Sequence, residues 1–302
     1  MKSNIKIGTR DSQLALWQAQ FIQQKLNTVA TTQLIEIKSE GDIDLVSPLY
    51  EMGVQGIFTK TLDAALLNKK IDVAVHSLKD VPTQLPQGLT IAAILPRANY
   101  TDWMVVKDRN IDFEKPLTIA TSSLRRKAQW LNRYPNHTFE LLRGNINTRL
   151  QKLQTNPHWA GALFAAAGVE RIALQIPHYI ALDWMLPAPA QGAIAVVCRE
   201  DDLNTMANCQ NFNDEQTAIC VQAERQFLRT LMGGCSMPIA ALATIDTNHT
   251  MNFKGNILTI DGKEKAEVEM IIEKINFAEA GKIAAEKLLQ NGGDVILKKV
   301  KG

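Results

Sequence analysis

Short apolar runs alternate with amphipathic stretches from the first residues onward, and no other feature constrains the fold as tightly. Residues 5–9 read as a strand, and residues 12–26 as a helix with Leu14, Trp17, Phe21 and Ile22 on one side. Residues 34–39 follow as a second strand, 59–69 as a helix carrying Leu62, Ala65 and Leu66, and 72–77 and 90–95 as further strands. A pattern that switches between strand and helix periods in this way predicts β-α-β units and a mostly parallel, doubly wound sheet. The pattern then restarts. Strands are expected at 103–107, 117–121, 139–142 and 160–165, with a helix at 124–134 ended by Pro135 and a short one at 147–153. Residues 194–198 are one more strand, after the bend Leu186-Pro187-Ala188-Pro189.

The last hundred residues read differently. A helix is expected over 214–231, with Asn213 as its cap, Gln216 three residues on and Gly233-Gly234 as its stop. Alternating strands at 241–245, 251–257 and 267–273 and a helix at 277–289 closed by Gly292-Gly293 make an α+β domain. The expected class is therefore α/β, with two lobes and a smaller C-terminal α+β domain. Lobe 1 takes residues 1–96 plus about 194–213, lobe 2 residues 97–193, and the last domain residues 214–302, with a hinge near 96–102.

Charge narrows the partners. The chain holds 33 basic and 31 acidic side chains, a formal net charge of +2. A nucleic-acid binder usually carries a strong positive balance or a dense basic stripe, so neither nucleic acid nor a membrane surface is an expected partner. The first residues lack the apolar stretch of a signal peptide, and no apolar run is long enough to span a bilayer. Cys198, Cys209, Cys220 and Cys235 are spaced by 11, 11 and 15 residues, which is not metal-ligand spacing. No metal is expected, and the cytoplasm, with reduced thiols, is the expected compartment.

The arginines sit in a telling place. Gly8-Thr9-Arg10-Asp11-Ser12 and Thr121-Ser122-Ser123-Leu124-Arg125-Arg126 each follow a strand and open a helix. Arg143, with Arg149 one short helix later, and Arg171 also follow strands. Ligands of open α/β sheets bind beyond the carboxyl ends of strands, where helix N-termini, hydroxyls and guanidinium forks receive carboxylates or phosphates. The alternative is that these arginines pair with surface acids. A second junction, His76-Ser77-Leu78-Lys79-Asp80-Val81-Pro82, delivers a carboxylate beside a lysine. It could stabilise a cation or shuttle a proton, or it could be an Asx-type turn capped by Asp80. Gly233-Gly234-Cys235-Ser236 puts a cysteine on a loop, where it is a nucleophile, a modification site or an ordinary buried thiol.

Together these motifs resemble the porphobilinogen deaminase (hydroxymethylbilane synthase) family. The matching runs include Gly8 to Leu16, Phe58-Thr59-Lys60, Ala74 to Pro82, Thr121 to Arg126, Leu142-Arg143-Gly144-Asn145, Gln191-Gly192-Ala193 and Gly233-Gly234-Cys235. The resemblance implies two lobes like those of periplasmic binding proteins, a third domain carrying the cysteine loop, and a monomer. It implies a dipyrromethane cofactor joined to Cys235 by a thioether. Porphobilinogen units would be added to it head-to-tail with loss of ammonia, before hydrolysis frees hydroxymethylbilane. By the same resemblance Asp80 is the catalytic aspartate and Lys79 binds cofactor carboxylate. Arg10, Arg125, Arg126, Arg143, Arg149 and Arg171 clamp carboxylates, and Ser12, Ser77, Thr121, Ser122, Ser123 and Gln191 complete the binding set. The chain departs from the family pattern at Val54-Gln55 (usually Gly-Lys), Thr101 (often arginine), Ala160 (often aspartate) and Ala190 (usually glycine), where Lys60 or Arg97 could supplement the clamp. The rivals are a two-lobed anion receptor without catalysis and a thiol enzyme of another type.

Overall fold

The computed structural model describes residues 4–38, 59–176, 178–231 and 237–301. In chain order the first elements are β1 (Asn4–Thr9), α1 (Gln13–Leu26), β2 (Thr31–Glu36), α2 (Lys60–Leu67), β3 (Val73–Ser77) and β4 (Leu89–Ile94). Next come β5 (Asp102–Val106), β6 (Thr118–Ala120), α3 (Leu124–Arg133), β7 (Thr138–Glu140), α4 (Ile146–Thr155), β8 (Trp159–Ala165), α5 (Ala166–Arg171) and β9 (Tyr179–Ala181). The remainder is β10 (Ile194–Arg199), α6 (Leu203–Gln210), α7 (Glu215–Thr230), β11 (Ile239–Ile245), β12 (Met251–Leu258), β13 (Lys265–Ile272), α8 (Ala280–Leu288) and α9 (Asp294–Lys301). The chain falls into two compact units. The first comprises the described residues of Met1–Leu45, Val54–Ala98 and Gly192–Ala218, and the second those of Asn99–Gln191 and Ile219–Gly302.

The first unit holds a five-stranded sheet ordered β2-β1-β3-β10-β4. β1 runs parallel to β2 and β3, whereas β10 is antiparallel to both its neighbours. Side chains alternate across a strand, so β3 serves both faces. Val73 and Val75 pack with Ile22 and Leu26 of α1, while Ala74 packs with Leu62 and Leu66 of α2. The second unit repeats the plan in a sheet ordered β7-β6-β8-β5-β9, with β5 as the antiparallel strand. Trp103 and Val105 face one core, with Leu153 and Phe164, and Met104 and Val106 face the other, with Trp130 and Leu163.

The C-terminal part of the second unit is the antiparallel sheet β11-β12-β13 packed on α7 and α8 through Phe227, Phe253, Ile257 and Leu288. The fold class is the expected one: α/β with two mixed sheets, plus a small antiparallel sheet with helices. Some element ends differ. The cap of α7 is Asp214, whose carboxylate accepts the Thr217 N–H at 2.7 Å, not Asn213. Asn213 instead accepts the Ile94 N–H at 2.9 Å, so its side chain is committed to β4. The glycines after α8 do close it, the chain turning at Gly292 (φ +91°), but a further helix that was not expected, α9, follows at once.

Candidate functional site

In the first unit β1 and β3 are parallel neighbours, so both leave the sheet at the same edge. The residues just past each strand therefore meet. Ser12 caps α1, its Oγ accepting the Ala15 N–H at 3.3 Å. β3 ends at Ser77 and runs into a single 3-10 turn, Leu78–Asp80, which brings Asp80 back toward Arg10. A small pocket of about 60 Å³ is lined by Arg10, Ser12, Gln18, His76, Ser77 and Asp80, among others. Four of the expected site residues thus converge here, whereas Lys79, in the same turn, is not on the lining. The Asp80 carboxylate makes no hydrogen bond or ion pair among the described residues, so the Asx-turn alternative is not the conformation adopted.

Of the other pocket residues, Gln18 was not anticipated, and His76 was expected only as part of the junction at the end of β3. Gln18 is buried and donates to Ser77 Oγ at 2.8 Å. It lies one and two helical turns beyond Ala15 and Ser12, so a polar residue on the apolar stripe of α1 was the available signal. His76 is buried, and its Nε2 has no hydrogen-bond partner among the described residues. Burial, helped by the nearby Arg10 guanidinium, draws its pKa down to about 4, so the ring is neutral at ordinary pH.

The second unit builds a different arrangement at the equivalent edge. Thr121 Oγ1 accepts the Ser123 N–H at 3.2 Å, Ser122 Oγ donates to the Leu142 carbonyl, and Ser123 Oγ accepts the Arg126 N–H at 3.4 Å to cap α3. All three hydroxyls shape the loop. Because β5 is antiparallel, its first residue, Asp102, lies beside the last residue of β8 at the carboxyl edge. Arg126 donates to Asp102 Oδ1 from Nε (3.1 Å) and Nη2 (2.7 Å), and from Nη1 to the Leu163 carbonyl (2.9 Å). Arg125 donates from Nη1 to the Leu186 carbonyl at 2.6 Å, and its Nη2 lies 2.8 Å from Asp102 Oδ2 as an ion pair. Gln191 Nε2 adds bonds to Asp102 Oδ1 (2.9 Å) and the Tyr100 carbonyl (2.8 Å).

This cluster is dry: Arg125 and Arg126 are 5% and 6% exposed and Asp102 is fully buried. Burial alone would raise the Asp102 pKa. The two guanidiniums, with hydrogen bonds from Arg126 and Gln191, outweigh it and hold the carboxyl far below the usual range. Burial also lowers the Arg125 pKa, with Asp102 opposing. The remaining arginines take separate partners. Arg143 is buried, and Arg149 Nε donates to the Gly144 carbonyl at 2.7 Å. Arg171 sits at the C-terminal end of the short α5, not at a helix N-terminus, and burial pulls its pKa down to about 10 against the pull of Glu170.

Cys235, Val54 and Gln55 lie outside the described residues. Cys198, Cys209 and Cys220 are buried and in no disulfide among the described residues. Thr101 Oγ1 bonds Asn99 Oδ1 at 2.7 Å, and Ala160 is half-buried against the Met104–Trp130 core. Ala190 adopts a left-handed φ of +63°, the conformation that glycine would take without strain.

An α/β protein with buried arginines and a carboxylate-lined pocket at strand ends belongs to the doubly wound class, whose ligands bind at that edge of the sheet. Residues 5–207 match the family profile described as porphobilinogen deaminase, dipyromethane cofactor binding domain, and residues 218–290 the one for porphobilinogen deaminase, C-terminal domain. The chain belongs to the porphobilinogen deaminase family. It is 41% identical over 308 residues to the porphobilinogen deaminase of Desulforamulus reducens, covering 100% of this chain and 99% of that one. It is 42% identical to that of Syntrophotalea carbinolica (98% and 95% covered) and 39% to that of Staphylococcus aureus strain Newman (97% and 97%). A periplasmic binding protein of an arginine transport system from Legionella pneumophila gives a TM-score of 0.41 at 13% identity, covering 69% of this chain and 91% of that one. The sheet topology, rather than that slight likeness, carries the fold.

Proposed function

We propose that this chain is a hydroxymethylbilane synthase, a transferase that joins four porphobilinogen units head-to-tail on a covalent dipyrromethane primer and then releases the linear tetrapyrrole. The observation that supports this beyond family membership is the Asp80 carboxylate, which makes no hydrogen bond or ion pair among the described residues, in a pocket with Arg10, Ser12 and Ser77. Each pyrrole carries an acetate and a propionate, which match guanidinium and hydroxyl donors. When bound, the dipyrromethane supplies a nucleophilic pyrrole carbon as the point of attachment. Each unit by itself offers donors for a pyrrole carboxylate: Arg10 and Ser12 line the first unit's pocket, and in the second the buried Arg125 Nε has no hydrogen-bond partner among the described residues. Cys235 is the proposed thioether residue, and Lys79, Arg126, Arg143, Arg149, Arg171 and Gln191, with Thr121, Ser122 and Ser123, the proposed supporting set.

Loss of ammonia from porphobilinogen leaves a carbocation conjugated with the pyrrole nitrogen. A carboxylate without another partner is the complementary charge, and Asp80 can hold the pyrrole N–H while positive charge develops. Neutral His76 adds no competing cation beside Asp80 at ordinary pH. We take the enzyme to act as a cytoplasmic monomer with porphobilinogen as its small-molecule partner, a reading supported by the family resemblance and the balanced charge.

Asp80→Asn tests the catalytic assignment. The variant should fold and carry its covalent group, but release ammonia from porphobilinogen about a hundredfold more slowly or worse. Turnover near that of the unaltered protein would remove Asp80 from the role. Binding of porphobilinogen by the unaltered holoprotein without any ammonia release would favour the anion receptor instead.

A further inference from the structure

The paired arginines are chemically unequal in the structure. All three outward nitrogens of Arg126 are spent, two on Asp102 and one on the Leu163 carbonyl. Among the described residues Arg125 makes one hydrogen bond, to the Leu186 carbonyl, and one ion pair, to Asp102 Oδ2, and its buried Nε has no hydrogen-bond partner. A buried N–H on a charged group is costly to leave unmade, so its retention asks for an explanation. Asp102 explains part of it. One carboxylate sits against two guanidiniums, so the buried cluster carries a single net positive charge, and Gln191 fixes the same oxygen that Arg126 grips.

We propose that Asp102 is the positioning residue of this anion site. It consumes Arg126 as a structural brace and holds Arg125 with a donor left over for one ligand carboxylate. This rests on the reading that the cluster receives a carboxylate of the pyrrole ligands. Asp102 itself touches no ligand; it acts through Arg125. The two arginines should therefore fail differently. Replacing the brace loosens the fold around β5, β8 and α3, whereas replacing the poised arginine removes a ligand contact.

The test compares Asp102→Asn, Arg125→Lys and Arg126→Lys by thermal unfolding, intact mass and steady-state kinetics with porphobilinogen. Arg126→Lys should lower Tm most. Arg125→Lys should keep its Tm within a few degrees and raise KM about tenfold or more, or lose the covalent group, as for loss of a charged hydrogen bond. Asp102→Asn, nearly isosteric, should reproduce that KM rise with kcat changed by less than about threefold, the pattern of lost binding rather than lost chemistry. If Asp102→Asn lowers Tm but leaves KM within about twofold while Arg125→Lys raises it, Asp102 is only part of the frame and the proposal falls. If Arg125→Lys also leaves KM unchanged, the cluster is not a carboxylate site, and the underlying reading fails instead. Should Asp102→Asn not fold, Asp102→Glu keeps the charge but displaces it by one methylene. The same KM rise is expected, and an unchanged KM overturns the assignment.

Discussion

His76 shows how much one side chain in the pocket can control. Its unfolded pKa is about 6.5 and its folded value about 4, so on acidification the unfolded chain takes up the proton first. The stabilisation is fully present above about pH 6.5 and is lost as pH falls toward 4. Between pH 7 and pH 5 the loss is about 2 kcal/mol. Asp102, with its pKa depressed, stabilises above the ordinary carboxylate range and is lost only below it, outside this window. Hydrogen exchange at the β1 and β3 amides should therefore show a fall in opening free energy between pH 7 and pH 5 that His76→Gln flattens. An equal fall in the variant would contradict the assignment. At this scale the motif residues were legible, since Arg10, Ser77 and Asp80 follow strands. The orphaned Nε2 was not, because it depends on what the rest of the first unit leaves around the ring. Ala190 is the opposite case: its place as a departure was visible, but not that the buried Glu224 carboxylate accepts its N–H at 2.6 Å in the strained turn.

The elements were legible where a periodic pattern ran long, as in α1 and α3, and poorly legible where tertiary contacts set the ends. The cap of α7 is the clearest example. Asn213 and Asp214 are both good caps by residue type, and only the pull of Ile94 on Asn213 decides between them. Asp214→Ala should therefore cost about 1 kcal/mol of stability in urea titration, as for loss of a helix cap. No loss would mean that another group satisfies the Thr217 N–H. Short α5, α6 and β9 left little signal, having too few residues to show a period. The antiparallel direction of β5 and β10 was also hidden, since a fully buried strand reads the same either way. That reversal brings Asp102 to Arg125 and Arg126, a contact that spacing along the chain could not reveal.

For the molecule as a whole, the net charge of +2 and the polyanionic ligand are compatible because positive charge is local. In the second unit it is a buried cluster holding two guanidiniums against one carboxylate, and in the first it is Arg10 beside Asp80. Sequence patterning gave the α/β class and the strand-end location, and the joint occurrence of motifs gave the family. Cys235, the proposed anchor, lies outside the described residues, so its role is a question of covalent chemistry. Intact-mass measurement of the purified, active protein is the direct test. The mass should exceed that of the chain by about two linked pyrrole units, and Cys235→Ser should abolish the excess. Active protein with the bare mass of its sequence would contradict the account.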